Sequence, residues 1–282
     1  MIANNSSTET YICKGIILFF YAASAFANGL ALYLLLTKKT KNVADLLLIH
    51  FCFCEGLGAI WEIANISVAL HRKSLSRSSV QFVGEAVIYG SVSQTLICIT
   101  LDRFFAIKFN IRYRSIVTKG RFFVLLPVIW VLSTSLGVLS ALTSIEVYYV
   151  MCSVFEVFTA TILVLSYAYI IITVLKQKRI FQQNSSSHSQ FKYEVPLCIC
   201  LTYLILIFIP DLVVTIKSDL YVLWFDVGYS INYFCDPLIY VVFSQYEKRQ
   251  KKKNNSRNAD NTGSRNIDRE MTVISSSTMQ SE

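Results

Sequence analysis

An all-α bundle of seven membrane-spanning helices is the fold that this chain predicts, and three observations predict it. Of its 282 residues, 54% are hydrophobic and only 16% charged, against about 25% charged in a soluble domain. The apolar residues gather into seven runs of about 20 residues or more, each sufficient to cross a hydrocarbon core of roughly 30 Å. The basic residues gather between those runs, dense and sparse by turns. Such a chain cannot cover its surface with polar groups, so most of it faces lipid. Within lipid, a single span satisfies its own backbone only as a helix. The net charge of +8 is no nucleic-acid signature, because the cations lie between apolar runs rather than along one face.

Taken in order, residues 1–14 read as an outer tail, with overlapping sequons at Asn4 and Asn5 that make it a candidate for glycosylation. The first apolar run is long enough to span and is followed by lysines, so it reads as a helix rather than a cleaved leader. The runs cover approximately 15–36, 44–69, 80–107, 122–142, 148–175, 194–217 and 220–243, and together form a transmembrane domain over 15–243. Residues 244–253 read as a short amphipathic eighth helix with Tyr246 near its start. Residues 254–282 are polar and predict a disordered cytoplasmic tail.

Charge sets the orientation. The connections at 37–43, 103–121 and 176–192 and the tail after 247 hold most of the Lys and Arg, including Lys38, Lys39, Lys41, Arg112, Arg114, Lys119 and Arg121. The opposite side has Lys14, Arg72, Lys73, Arg77 and Lys217. By the positive-inside rule the amino terminus is extracellular and the carboxyl terminus cytoplasmic. The location expected is the plasma membrane.

Two other multi-span classes fit less well. Transporters show internal repeats and paired broken helices, and none is evident. A membrane enzyme needs a catalytic cluster, whereas His50, His71 and His188 are scattered. The eight cysteines lie mainly inside apolar runs (Cys52, Cys54, Cys98, Cys198, Cys200 and Cys235 among them), where they read as small hydrophobes rather than metal ligands.

The third run ends in LDRFFAI, with the acid–base pair Asp102-Arg103. This string resembles the third-helix ending of rhodopsin-like (class A) G-protein-coupled receptors, with Phe104 where many members have Tyr. Further resemblances follow in order: Asn28 in the first span, Glu55 in the second where the family usually has Asp, and Trp130 in the fourth. Tyr167 lies near the inner end of the fifth and Phe208-Ile209-Pro210 in the sixth. Asn232 and Asp236-Pro237-Leu238-Ile239-Tyr240 complete the set in the seventh. Ser78 stands where most members carry a disulfide cysteine, the second outer loop is very short, and the fifth span lacks its usual Pro. These departures are similar to the melanocortin, lysophospholipid, cannabinoid and adenosine cluster.

The resemblance implies a receptor that is not itself an enzyme. It would bind an extracellular ligand, couple to a heterotrimeric G protein and recruit arrestin. Asp102, Arg103, Tyr167, Asp236, Pro237 and Tyr240 would serve coupling and activation, and Phe208 with Pro210 the bend of the sixth span. Asn28, Glu55, Asn232 and Asp236 would converge on a sodium ion or on a shared proton, two alternatives that the sequence leaves open. Gln190 stands where some members place a Glu against the third-span Arg, so that lock is expected to be missing.

Glu85 lies 18 residues before Arg103, five turns of one helix face or about 27 Å. It matches the position of the ligand-pairing carboxylate in amine receptors. With Glu62, Asp211 and Asp226 it would make an acidic outer cavity for a small cationic ligand or basic peptide. The competing arrangement pairs Glu85 internally with Lys14, Arg72 or Lys217, as buried charges tend to pair.

Overall fold

The computed structural model describes residues 3–72, 79–109, 112–142 and 145–180, with shorter pieces at 198–199, 201–202, 204–209, 227–228 and 230–242. The helices are α1 (Ala3–Leu36), α2 (Val43–Arg72), α3 (Ser79–Phe109), α4 (Tyr113–Ile116), α5 (Lys119–Leu142) and α6 (Ile145–Ile180). A π-helical turn follows at Leu204–Phe208, and residues 230–242 are helical. No strand occurs among the described residues.

Five of these helices are long and apolar enough to cross a membrane, over Lys14–Leu36, Val43–Val68, Val83–Phe109, Lys119–Leu139 and Ser153–Thr173. They coincide with the first five apolar runs. Much of the sixth and seventh runs, the eighth-helix segment and the tail lie outside the described residues. One boundary differs from expectation: α1 starts at Ala3, well ahead of the apolar run at 15. Helix propagation explains this, since each further residue gains a hydrogen bond without a new nucleus.

Local chemistry sets the other starts. Asn42 and Asp45 form a reciprocal cap at the head of α2: Asn42 N donates to Asp45 Oδ2 at 3.0 Å and Asp45 N to Asn42 Oδ1 at 2.9 Å. Lys38 adds an ion pair to Asp45 at 2.7 Å. At the head of α5, Thr118 Oγ1 accepts from the N–H of Arg121 at 3.4 Å.

Packing is inverted relative to a soluble protein. Ser24, Asn28, Glu55, Ser91, Ser93, Thr95, Ser133, Thr159 and Ser230 are fully buried. Phe26, at 75% exposure, and Val124, at 69%, point outward. Only a lipid solvent makes that arrangement favourable, since apolar groups lose nothing in hydrocarbon and polar groups must find partners inside. α3 is the hub, packing against α2, α4, α5 and α6. The largest apolar cluster surrounds its inner half: Leu47, Phe51 and Cys54 of α2, Val92, Leu96 and Ile99 of α3, Phe122 of α5, and Leu163, Tyr167 and Ile170 of α6. Gly137 permits the closest α3–α5 approach, since a Cβ there would stand 2.7 Å from Val87 Cγ2 and 3.0 Å from the Val83 carbonyl oxygen.

The sixth run carries a π turn at Leu204–Phe208, and in sequence Pro210, which has no N–H to donate, stands four residues after Leu206. Gly228 lets the seventh segment meet the Leu206 carbonyl closely, because a Cβ on Gly228 would lie 2.7 Å from Leu206 O.

Candidate functional site

Four polar groupings line the interior, and α3 carries a side chain in three of them. Toward its carboxyl-terminal end, Arg103 donates to Asp102 through Nε at 2.9 Å and also through Nη2. The Tyr113 hydroxyl, on α4, donates to the other oxygen of Asp102. Burial and the bond to Asp102 both push the Tyr113 phenol above its ordinary pKa, so it remains a donor at physiological pH. Tyr167 of α6, buried, lies within electrostatic reach of Arg103. Phe104 meets Tyr169 with ring centroids 5.0 Å apart, so the aromatic that replaces the usual Tyr ties α3 to α6. Three of the coupling candidates, Asp102, Arg103 and Tyr167, thus share one site, and Tyr113 joins them. Tyr240 does not: it packs on the cluster of Ala31, Leu35 and Cys52 between α1 and α2. Pro237 is buried in the 230–242 helix.

Midway along the bundle, Glu55 and Asp236 are fully buried side by side, with Asn28 against Glu55. Asp236 accepts from Thr202 Oγ1 at 2.6 Å and from Asn232 Nδ2 at 3.2 Å. Asn28 Nδ2 donates to the carbonyls of Ser24 at 3.2 Å and Tyr233 at 3.3 Å, and Ser24 Oγ donates to Tyr233 O at 2.6 Å. All the donors are thereby used. Asn28 Oδ1 and Asn232 Oδ1 remain buried acceptors with no hydrogen-bond partner, and the buried Glu55 carboxyl interacts with Asp236 and Asn28. A set of oxygen acceptors around two carboxyls fits a hard cation, or protons held on the carboxyls. The four residues named from the sequence converge, and Thr202 and Ser24 are additions.

Between these levels His50 joins three helices. Trp130 Nε1 of α5 donates to His50 Nε2 at 3.0 Å, and His50 Nδ1 meets Thr95 Oγ1 of α3 at 2.9 Å. Thr95 spends its own proton on the Ser91 carbonyl at 2.6 Å. Indole can only donate, so Nε2 carries no proton and Nδ1 donates to Thr95. One tautomer of a neutral imidazole satisfies every group. Sequence reasoning left His50 as one of three scattered histidines.

Toward the amino-terminal end of α3, Glu85 Oε1 accepts from Asn65 Nδ2 at 3.4 Å, and Asn65 Oδ1 from Gln81 Nε2 at 3.3 Å. Glu62 of α2 and Glu85 of α3 both act electrostatically on the phenol of Tyr233 in the seventh segment, so three helices turn these groups to one region. Trp61 packs closely against Gly84, where a Cβ would fall 2.2 Å from Trp61 Cζ2. One turn inward from Glu85, the Tyr89 hydroxyl donates to buried Glu156 of α6. Phe208 lies in the π turn, its side chain outside the described residues. Asp211, Asp226, Pro210, Gln190 and Ser78 also lie outside them. The side chains of Asn4 and Asn5, in the first turn of α1, are likewise not described. Among the described residues, no three His, Cys, Asp or Glu side chains group as a metal site.

The family model described as 7 transmembrane receptor (rhodopsin family) matches residues 27–147. The match runs from the middle of α1 into the start of α6 and includes Asn28, Glu55, Glu85, Asp102, Arg103 and Trp130. No curated protein matches the chain. Over these residues the chain is similar to rhodopsin-family seven-transmembrane receptors, and five of its described helices are long and apolar enough to cross a membrane.

Proposed function

We propose that this receptor binds a cationic extracellular ligand, a small amine or basic peptide, in its outer half and activates a heterotrimeric G protein through the inner end of α3. The observation that carries this is the placement of Glu85 and Arg103 at opposite ends of α3, the helix against which most others pack. Arg103 rests against Asp102, and the shared hold of Tyr113 keeps that carboxylate fixed. Releasing Arg103 from this pair frees a planar five-donor group at the inner surface, suited to capping carbonyls of a docking helix. At the outer end, Glu85 and Glu62 supply negative charge in a low-dielectric cavity, where a cation gains most.

The loop charges support a plasma-membrane protein with its amino terminus outside. Glycosylation at Asn4 or Asn5 and arrestin recognition of the phosphorylated tail belong to the same proposal. At mid-bundle, Asn28, Glu55, Asn232 and Asp236 would hold a sodium ion, whose charge would offset the two carboxylates. With no ion, protons on the pair do the same. The test is guanine-nucleotide exchange on a panel of purified G proteins, with the receptor in nanodiscs and a library of amines and basic peptides as ligands. Exchange stimulated by neutral or acidic ligands alone would overturn the cationic assignment. No stimulated exchange on any G protein would overturn the coupling.

A further inference from the structure

From Arg103 to Ile145 the chain contains no Asp or Glu, yet it carries six cations: Arg103, Lys108, Arg112, Arg114, Lys119 and Arg121. Arg103 is matched by Asp102. Lys108, Arg112, Lys119 and Arg121 are exposed and form no ion pair among the described residues. They lie along a short arc, from the end of α3 through α4 to the head of α5.

Two of the four are held in place. The Lys108 ammonium stands 5.4 Å from the Phe104 ring centroid and 5.7 Å from that of Phe109. The Arg121 guanidinium donates to the Ile116 carbonyl, which ties it to α4. Directly beyond Arg121 come Phe123, at 62% exposure, Val124 and Val128. They open the outward face of α5, which has the smallest buried share of the five candidate spans. The cations therefore stand where lipid chains give way to headgroups, beside a helix that lipid touches along most of its length. Attraction between such cations and anionic headgroups falls off within a Debye length, about 10 Å, and these residues flank the ends of two candidate spans, Val83–Phe109 and Lys119–Leu139.

We propose that Lys108, Arg112, Lys119 and Arg121 form a docking surface for one lipid headgroup bearing several phosphates, a polyphosphorylated phosphoinositide. A headgroup with a single net charge leaves most of the arc unneutralised. A polyphosphate matches it, and the forked guanidinium groups of Arg112 and Arg121 suit its oxygens. The physiological setting rests on the orientation proposed above, which puts this arc on the cytoplasmic side.

The test is binding of a phosphatidylinositol bisphosphate to the full chain in nanodiscs, against phosphatidylserine discs of equal total charge. The wild type prefers the phosphoinositide. Lys119→Gln/Arg121→Gln weakens it about 30-fold, two cations at about 1 kcal/mol each. Lys39→Gln/Lys41→Gln, on the first connection, changes it less than about threefold. Thermal melts of both variants confirm that each is folded. Equal loss in the two variants, or no preference over phosphatidylserine, means diffuse attraction alone and overturns the proposal. Loss of G-protein stimulation with phosphoinositide binding intact assigns the arc to a protein partner and overturns it too. Nanodiscs expose both faces, so binding is independent of orientation. Impermeant maleimide labelling of a Ser115→Cys variant on intact cells reads the orientation separately, and labelling there would overturn only that.

Discussion

Replacing His50 by Leu tests whether the polar contacts inside this bundle hold the helices together. Leu has nearly the volume of imidazole but offers neither acceptor nor donor. Trp130 Nε1–H, now 3.0 Å from His50 Nε2, loses its acceptor, and an orphaned buried donor costs about 1–3 kcal/mol. The Nδ1–H bond to Thr95 at 2.9 Å is lost as well, about 0.5–1.5 kcal/mol. Thr95 itself stays satisfied through Ser91, so nothing is added for it. The sum is about 2–4 kcal/mol. At roughly 2–4 °C per kcal/mol for a chain of this size, the melting temperature falls by about 5–15 °C. Thiol-reactive dye reports the melt directly, because Cys52 and Cys54 are buried in the folded bundle. His50→Asn keeps one acceptor and one donor and loses less than half as much. A His50→Leu melt within about 2 °C of wild type, under about 1 kcal/mol, would show that the three-helix contact contributes nothing and refute the reasoning.

Three further outcomes are expected. Arg103→Ala abolishes stimulated nucleotide exchange while surface expression, measured by flow cytometry, stays near wild type; full exchange would remove Arg103 from the coupling site. Glu85→Gln costs a cationic agonist about 2–5 kcal/mol of affinity, some 30- to several-thousand-fold, in a dose–response curve corrected for receptor number. Potency within about threefold of wild type would leave Glu85 a structural group bonded to Asn65. Gly137→Ala destabilises the bundle by about 1–3 kcal/mol through overpacking against Val87 and the Val83 carbonyl. Gly29→Ala, with nothing within 4 Å of its added Cβ, is neutral or mildly stabilising by helix propensity; equal melts for the two variants would contradict the α3–α5 contact.

The first five spans were legible because hydrophobic length is a one-dimensional signal, and their ends follow from charges and caps such as Asn42 and Asp45. The start of α1 was not, since polar residues of moderate propensity continue a helix that the apolar run has nucleated. The meeting of Asn28, Glu55, Asn232 and Asp236 was anticipated by resemblance rather than by pattern. Span hydropathy gives no rotation when lipid-facing and protein-facing sides are both apolar. Thr202, Ser24 and Thr95 were invisible for that reason: a hydroxyl inside a span bonds its own helix as readily as another, as Thr95 does to Ser91. His50 carried a stronger signal, an ionisable ring inside an apolar run, but its partners lie 45 and 80 residues away. Tyr113 sits in a connection whose four-residue helix is too short for any periodicity.

These polar contacts also tie the described helices to one another. α2, α3 and α5 are cross-linked by His50, Thr95 and Trp130, and a large apolar cluster seals the same three helices to α6. Of the sixth segment, the described π turn at Leu204–Phe208 packs against α6, and Gly228 closely meets its Leu206 carbonyl. Among the described residues, Thr202 donates to Asp236 of the seventh segment at 2.6 Å, and Asp236 faces Glu55. A change of charge on that carboxyl pair thus acts first on the acceptor that holds Thr202.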